Sequence, residues 1–170
     1  VKVAEAVYTG DALTPAVSVV VDGITLKENV DYTINYSNNT DATTETSKAS
    51  VVVRGTGNYE GTAIKTFDIA AKSLTGAVVN DIPTQRYTGL EIRPEVKVAL
   101  GGKMLAAGVD YTITYENNIA VSDAAKVTVT GKGNYTGTIV KTFAIQNVTL
   151  DMAEITGVPK SVVYTGREIT

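Results

Sequence analysis

The chain has 170 residues with no Cys, no His and no Trp, and 15 Lys+Arg against 18 Asp+Glu give a formal net charge of −3. Disulfides, thiolate metal sites and cysteine nucleophiles are therefore excluded, and so are histidine general bases and histidine zinc ligands. The charges form no basic block, which argues against a nucleic-acid partner, and no apolar run reaches the ~18 residues that a membrane-spanning helix needs.

The predicted elements, taken in chain order, are written once and then written again. Tyr8-Thr9-Gly10 opens the pattern, and Pro15 stands just before a first strand with Val17, Val19 and Val21 on one face, where a missing N–H does no damage. Asp22-Gly23 predicts a tight hairpin turn with positive φ, and Asn29 a left-handed residue. A second strand follows with Tyr32, Ile34 and Tyr36 alternating against Thr33 and Asn35, and it ends at Asn38-Asn39. The polar, Thr-rich stretch 40–47 reads as a surface loop. Val51 and Val53 mark the next strand, the Gly-rich run Gly55-Thr56-Gly57-Asn58-Tyr59 a turn, and Lys65, Phe67 and Ile69 one face of the last. Ala70 to Ser73 reads as a short linker, and Leu74 to Asn80 as a further strand leading into the next Tyr-Thr-Gly.

The second writing matches position by position: Tyr87-Thr88-Gly89, Pro94, Val96/Val98/Leu100, Gly101-Gly102, Gly108, Tyr111/Ile113/Tyr115, Val127/Val129, Gly131 to Thr138, and Phe143/Ile145. Tyr8 to Tyr87 and Asp31 to Asp110 are both 79 residues apart, whereas Tyr59 to Tyr135 and Phe67 to Phe143 are both 76. Three residues are thus missing from the second copy near 118–125, opposite the Thr-rich loop, and length change is tolerated at the surface. A third opening, Tyr164-Thr165-Gly166, follows a second linker near Gln146 to Thr149. Apolar alternation of period two with no sustained helical period predicts an all-β chain of tandem small antiparallel β-sandwiches. The expected organisation is 1–70 for a first repeat without its leading strand (Val1 aligns with Asn80), 71–146 for a second, and 147–170 for the start of a third. Because the pattern starts and stops midway, the chain reads as a fragment of a longer protein, with targeting signals outside it.

Together, Y-T-G, D-Y-T-I-x-Y-x-N-N, G-x-G-N-Y-x-G-T and K-T-F resemble the bacterial immunoglobulin-like modules that recur in tandem in Gram-positive surface and secreted proteins. The resemblance covers nearly the whole chain. It implies an extracellular stalk or spacer that holds adhesin or glycan-active domains away from the cell wall, with neighbouring repeats as partners and no catalytic set. Some relatives bind host or polysaccharide ligands, which leaves an adhesin or carbohydrate-binding repeat as the alternative.

All nine tyrosines fall at repeat positions, so core packing with hydrogen-bonded hydroxyls is the first expectation. Tyr59 and Tyr135, in Gly-rich turns before the last strand, suit a tyrosine corner. If tyrosines stack on a ligand, the strand-end Tyr36 and Tyr115 are the better placed, with Asn38, Asn39, Asn117 and Asn118 beside them. Gly55-Thr56-Gly57 and Gly131-Lys132-Gly133 precede strands rather than helices, so a phosphate cradle is not expected. Lys65 and Lys141 share a face with Phe67 and Phe143, which points charge toward the core. That raises an internal isopeptide bond to Asp31, Asp110, Asn58 or Asn134, against the commoner snorkelling lysine. Calcium at Asp31, Asn38, Asn39 and Asp41 is disfavoured, because the second copy has Ala120 in place of Asp41 and calcium wants several carboxylates. Glu45, Glu60 and Glu91 have no acidic twin. The sequence therefore predicts a monomeric, non-catalytic chain without cofactor, metal or membrane insertion, with self-association through edge strands as a third class of behaviour.

Overall fold

The computed structural model describes residues 2–3, 6–157, 160–164 and 166. Val1, Thr165 of the third Tyr-Thr-Gly and Glu168 lie outside the described residues. Among the described residues every regular element is a strand, apart from one 3-10 turn at Leu150–Met152.

In the first copy, Tyr32–Ser37, Ala49–Gly55 and Thr62–Phe67 form an antiparallel sheet in that order. In the second, Tyr111–Glu116, Ser122–Gly131 and Thr138–Gln146 do the same, with Gln85–Arg86 added in parallel on the outer edge. The registers agree: Tyr32, Ile34 and Tyr36 lie opposite Gly55, Val53 and Val51, as Tyr111, Ile113 and Tyr115 lie opposite Gly131, Val129 and Val127. Alternation explains the result, because successive side chains point to opposite faces. Val51, Val53, Val127 and Val129 are buried, while Arg54 and Thr130 are exposed.

A smaller sheet covers that face. In the second copy it is Val78–Val79, Val98–Leu100 and Lys103–Met104, and its Val79, Val98 and adjoining Leu105 pack with Tyr111, Val127 and Val129 in one core. This makes an all-β sandwich. In the first copy the covering layer is in pieces: Lys2–Val3 with Val17–Ser18, and Val20–Val21 with Ile24–Thr25. The hairpin turns are as expected, with positive φ at Asp22 and Gly23 (50° and 83°) and at Gly101 and Gly102 (58° and 81°), which is the type I′ geometry that suits strand twist. Asn29 and Gly108 are left-handed at 64° and 82°.

Three expectations change. Val21 is exposed although it lines one hollow with Val19, Leu26 and Val53, because that hollow is open. The strand expected over Leu74–Asn80 is broken into Lys72–Ser73 and Val78–Val79. Gly76, at φ 80°, turns the chain between them, and the Ala77 N–H donates to Leu74 O at 2.9 Å. The three-residue difference near 118–125 does more than shorten a loop. Where the first copy loops over 40–47 before its strand starts at Ala49, the second runs straight into a strand from Ser122.

Candidate functional site

The residues put forward for ligand stacking do gather at one end of each sandwich, but their polar atoms hold the chain to itself. The Tyr36 hydroxyl donates to Pro15 O at 2.6 Å, and the Tyr115 hydroxyl to Pro94 O at 2.6 Å. Asn38 and Asn117 turn the strand end with φ of 53° and 54°. Asn39 Nδ2 donates to Leu13 O at 2.9 Å while the Leu13 N–H donates back to Asn39 O at 2.7 Å. Asn118 repeats this with Ile92 at 3.0 and 2.8 Å and is buried. The segments around Pro15 and Pro94 are thereby tied to the sheet by side chains, which replaces the ladder bonds that proline cannot donate. Burial raises the Tyr36 and Tyr115 hydroxyls above their ordinary pKa, with Glu28 and Tyr32 adding to the effect at Tyr36. Beside these anchors lie open hollows of about 240 Å³ at Asn38–Thr43 with Ser47 and about 490 Å³ at Asn117–Ser122.

The lysines part company. Lys65 lies opposite buried Val51, on the face expected from alternation, but its side chain is exposed. Lys141 is half-buried, and its Nζ donates to Asn80 O at 3.2 Å and to Asp81 Oδ1 at 3.1 Å. The difference lies in what covers the strand. Asn80 and Asp81 lie over Lys141, whereas in the first copy residue 2, the counterpart of Asp81, is itself a lysine. Lys141 is thus paired with Asp81 rather than with Asp110 or Asn134. Asp31 and Asp110 serve as turn caps, accepting the Lys27 and Ala106 N–H groups at 2.8 Å each. No three acidic side chains come together among the described residues.

The Gly-rich corner is the most tightly specified part. A Cβ on Gly55 would lie 2.9 Å from Glu60 N, and one on Gly131 2.7 Å from Thr136 N, so backbone crowding alone requires glycine at both positions. The tyrosines of this corner do a different job from the one expected. Hydroxyl-to-backbone bonds belong to Tyr36, Tyr115 and Tyr111, the last donating to Val96 O at 3.1 Å. Tyr135 is instead a packing residue, 5% exposed, with its ring edge-on to Tyr8 at 5.6 Å and 77°. Burial raises its pKa, while the nearby Lys103 acts in the opposite direction.

Here the two copies meet, which the sequence did not announce. Asn134 Nδ2 donates to Asp41 Oδ1 at 2.9 Å, and the Ala42 N–H donates to Asn134 Oδ1 at 2.7 Å. Tyr8 packs against the core of the first copy through Phe67 and Ile69 and against that of the second through Tyr135. The available signal was the recurrence of Asn-Tyr at 58–59 and 134–135 and of Tyr at 8 and 87. Nothing in it says that the Tyr of one copy meets the Asn-Tyr of the next.

The corner also marks where the copies differ. In the second, Leu74 is 1% exposed, packs in the core beside Tyr135 and donates its N–H to Thr136 O at 2.8 Å. At the same place in the first lies an open groove of about 320 Å³, lined by Val19, Leu26, Tyr32, Val53 and Tyr59. Compared with known proteins, the chain matches no family model, no curated protein and no solved structure.

Proposed function

We propose that the chain is a length of spacer: two immunoglobulin-like sandwich repeats and the beginning of a third, from a multimodular bacterial surface or secreted protein. The observation that carries this reading is the joint. A spacer must hold neighbours in a fixed relation, and Asn134 clamped to Asp41 and Ala42 beside the Tyr8–Tyr135 pair does that with side chains rather than with a linker. Further support comes from the drift of outward positions between copies, as in Ser18/Lys97, Arg54/Thr130 and Asp68/Ala144, while core and turn residues match. Small-angle scattering tests it. Asn134→Ala should broaden the distribution of interatomic distances without unfolding either half, and an unchanged profile would remove the joint as support.

A second reading, a glycan- or protein-binding repeat, is favoured by the hollows at Asn38–Thr43 and Asn117–Ser122, which recur at the same end of each sandwich. A binding screen against polysaccharides, mucin glycans and matrix proteins separates the two. Binding weakened by Tyr36→Ala or Tyr115→Ala in a folded chain selects the binding module.

A further inference from the structure

Tyr-Thr-Gly opens each copy of the pattern, and the joint between the copies gives it a task. Tyr8-Thr9-Gly10 and Tyr87-Thr88-Gly89 take closely similar shapes. The Asp11 N–H donates to Thr9 Oγ1 and the Leu90 N–H to Thr88 Oγ1, both at 3.3 Å. Gly10 and Gly89 both have positive φ, 103° and 78°. In each motif the tyrosine hydroxyl lies over its own glycine, 3.9 Å from the place a Cβ would take. A threonine hydroxyl bonded to the backbone two residues on fixes such a turn locally, so the motif is a preformed knob.

The knob of the first copy is seated on the second. The Tyr8 ring meets Tyr135 edge-on at 5.6 Å. Lys103 Nζ, from the hairpin in which Lys103 lies opposite Leu100, is 4.0 Å from the Cβ position of Gly10. Glycine there leaves the ammonium room beside the backbone. Burial raises the pKa of Tyr135, and the same ammonium works against that rise. One cation thus stands among Tyr8, Gly10 and Tyr135, a place that suits a compact charge with three N–H donors. Beside it, Asn134 grips Asp41 and Ala42.

The two charged residues are private to this pair of surfaces. The second copy has Ala120 where the first has Asp41, and the first has Ile24 where the second has Lys103. The tyrosines, the glycine and the asparagine of the joint recur in both copies. Shared residues therefore supply the shape of the contact, while the private ones separate right from wrong partners. We infer that Tyr-Thr-Gly is the knob by which a repeat enters the next, and that Lys103 and Asp41 make this contact selective, so that the two copies cannot exchange places. The partner that fits the knob of the first copy is the base of a second repeat, with Asn-Tyr at its corner and a cation on the adjoining hairpin. It rests on the joint that supports the spacer reading, and holds whatever the chain carries.

Residual dipolar couplings of the full chain in a weakly aligning medium read the joint directly. In the native chain the couplings of both copies should fit one alignment tensor. Lys103→Ile and Asp41→Ala each install the residue of the twin position. Both should leave the two folds intact and split the fit into two tensors of unequal magnitude. Lys103→Arg should keep the single tensor. Tyr8→Leu, which retains apolar bulk in the first core but loses the ring against Tyr135, should split the fit, and Tyr87→Leu should not. The reverse exchanges Ile24→Lys and Ala120→Asp should leave the tensor unchanged. A single tensor that survives Tyr8→Leu overturns the knob, and one that survives Lys103→Ile or Asp41→Ala overturns the selectivity. Either of these results leaves a stiff joint, and with it the spacer reading, in place. Two tensors in the native chain overturn the inference and the joint together.

Discussion

Leu74 and Leu150 occupy the same position of the repeated sequence and opposite environments, which makes them an internally controlled pair. Leu74→Ala removes most of a side chain that is 1% exposed and packs in the core with Val98, Tyr111 and Tyr135. Its surroundings are held by the Leu74 N–H bond to Thr136 O and by the crowded corner at Gly131, so collapse into the space is limited. The expected loss is about 2–5 kcal/mol, made up of lost burial plus a residual cavity. Leu150→Ala, at a position that is 84% exposed, should stay within about 0.5 kcal/mol, as exposed substitutions do. The assay is urea denaturation of both variants, with the slope compared so that a changed midpoint can be attributed to stability. Equal costs at the two positions, or a Leu74→Ala cost below about 1 kcal/mol, would refute the claim that the leading segment is part of the second core.

Removing the strand-end hydroxyls with Tyr36→Phe or Tyr115→Phe should each cost about 1 kcal/mol, since the Pro15 or Pro94 carbonyl loses its donor; thermal melts of the two variants should shift alike. Gly131→Ala should cost about 1–3 kcal/mol or prevent folding of the second half, because the new methyl meets backbone rather than a movable side chain; circular dichroism on heating reads this directly. Tyr36, Tyr111, Tyr115 and Tyr135 all have pKa values raised above 10.0, chiefly by burial. Their neutral forms favour the fold, so this contribution is full below pH 10 and is lost as pH rises through the folded-state values. A spectrophotometric titration of tyrosine ionisation should therefore coincide with alkaline unfolding for these residues, and early, reversible ionisation of all nine would contradict their placement.

Much of the architecture could be read from the alternation and from comparison of twins. Val51/Val53 against Val127/Val129 identified the buried face because their neighbours Val52 and Arg54 became Thr128 and Thr130. Turn residues were equally legible, since Asp22-Gly23 and Gly101-Gly102 have few conformational uses. What periodicity could not supply was the layer lying above each strand. Lys65 and Lys141 have the same place in the pattern, but only the second lies under Asn80 and Asp81. The hydroxyl partners of the tyrosines stayed hidden for a related reason. Alternation says which side of the sheet a ring takes, but not whether its hydroxyl reaches a carbonyl 21 residues away, as those of Tyr36 and Tyr115 do. The pairing of Asn134 with Asp41 spans 93 residues and joins positions that are not twins, so neither alternation nor the repeat could expose it.

Tyr8 belongs to two cores at once, and that has a thermodynamic consequence. When the first half melts, Tyr135 loses the ring that covers it and Asn134 loses both of its partners. The second half is then left with a newly wetted aromatic and a weakened corner. Each half thus stabilises its neighbour through a boundary term, as in a one-dimensional chain with nearest-neighbour coupling. The melting curve of the whole chain should accordingly be sharper than the sum of curves for two independent halves.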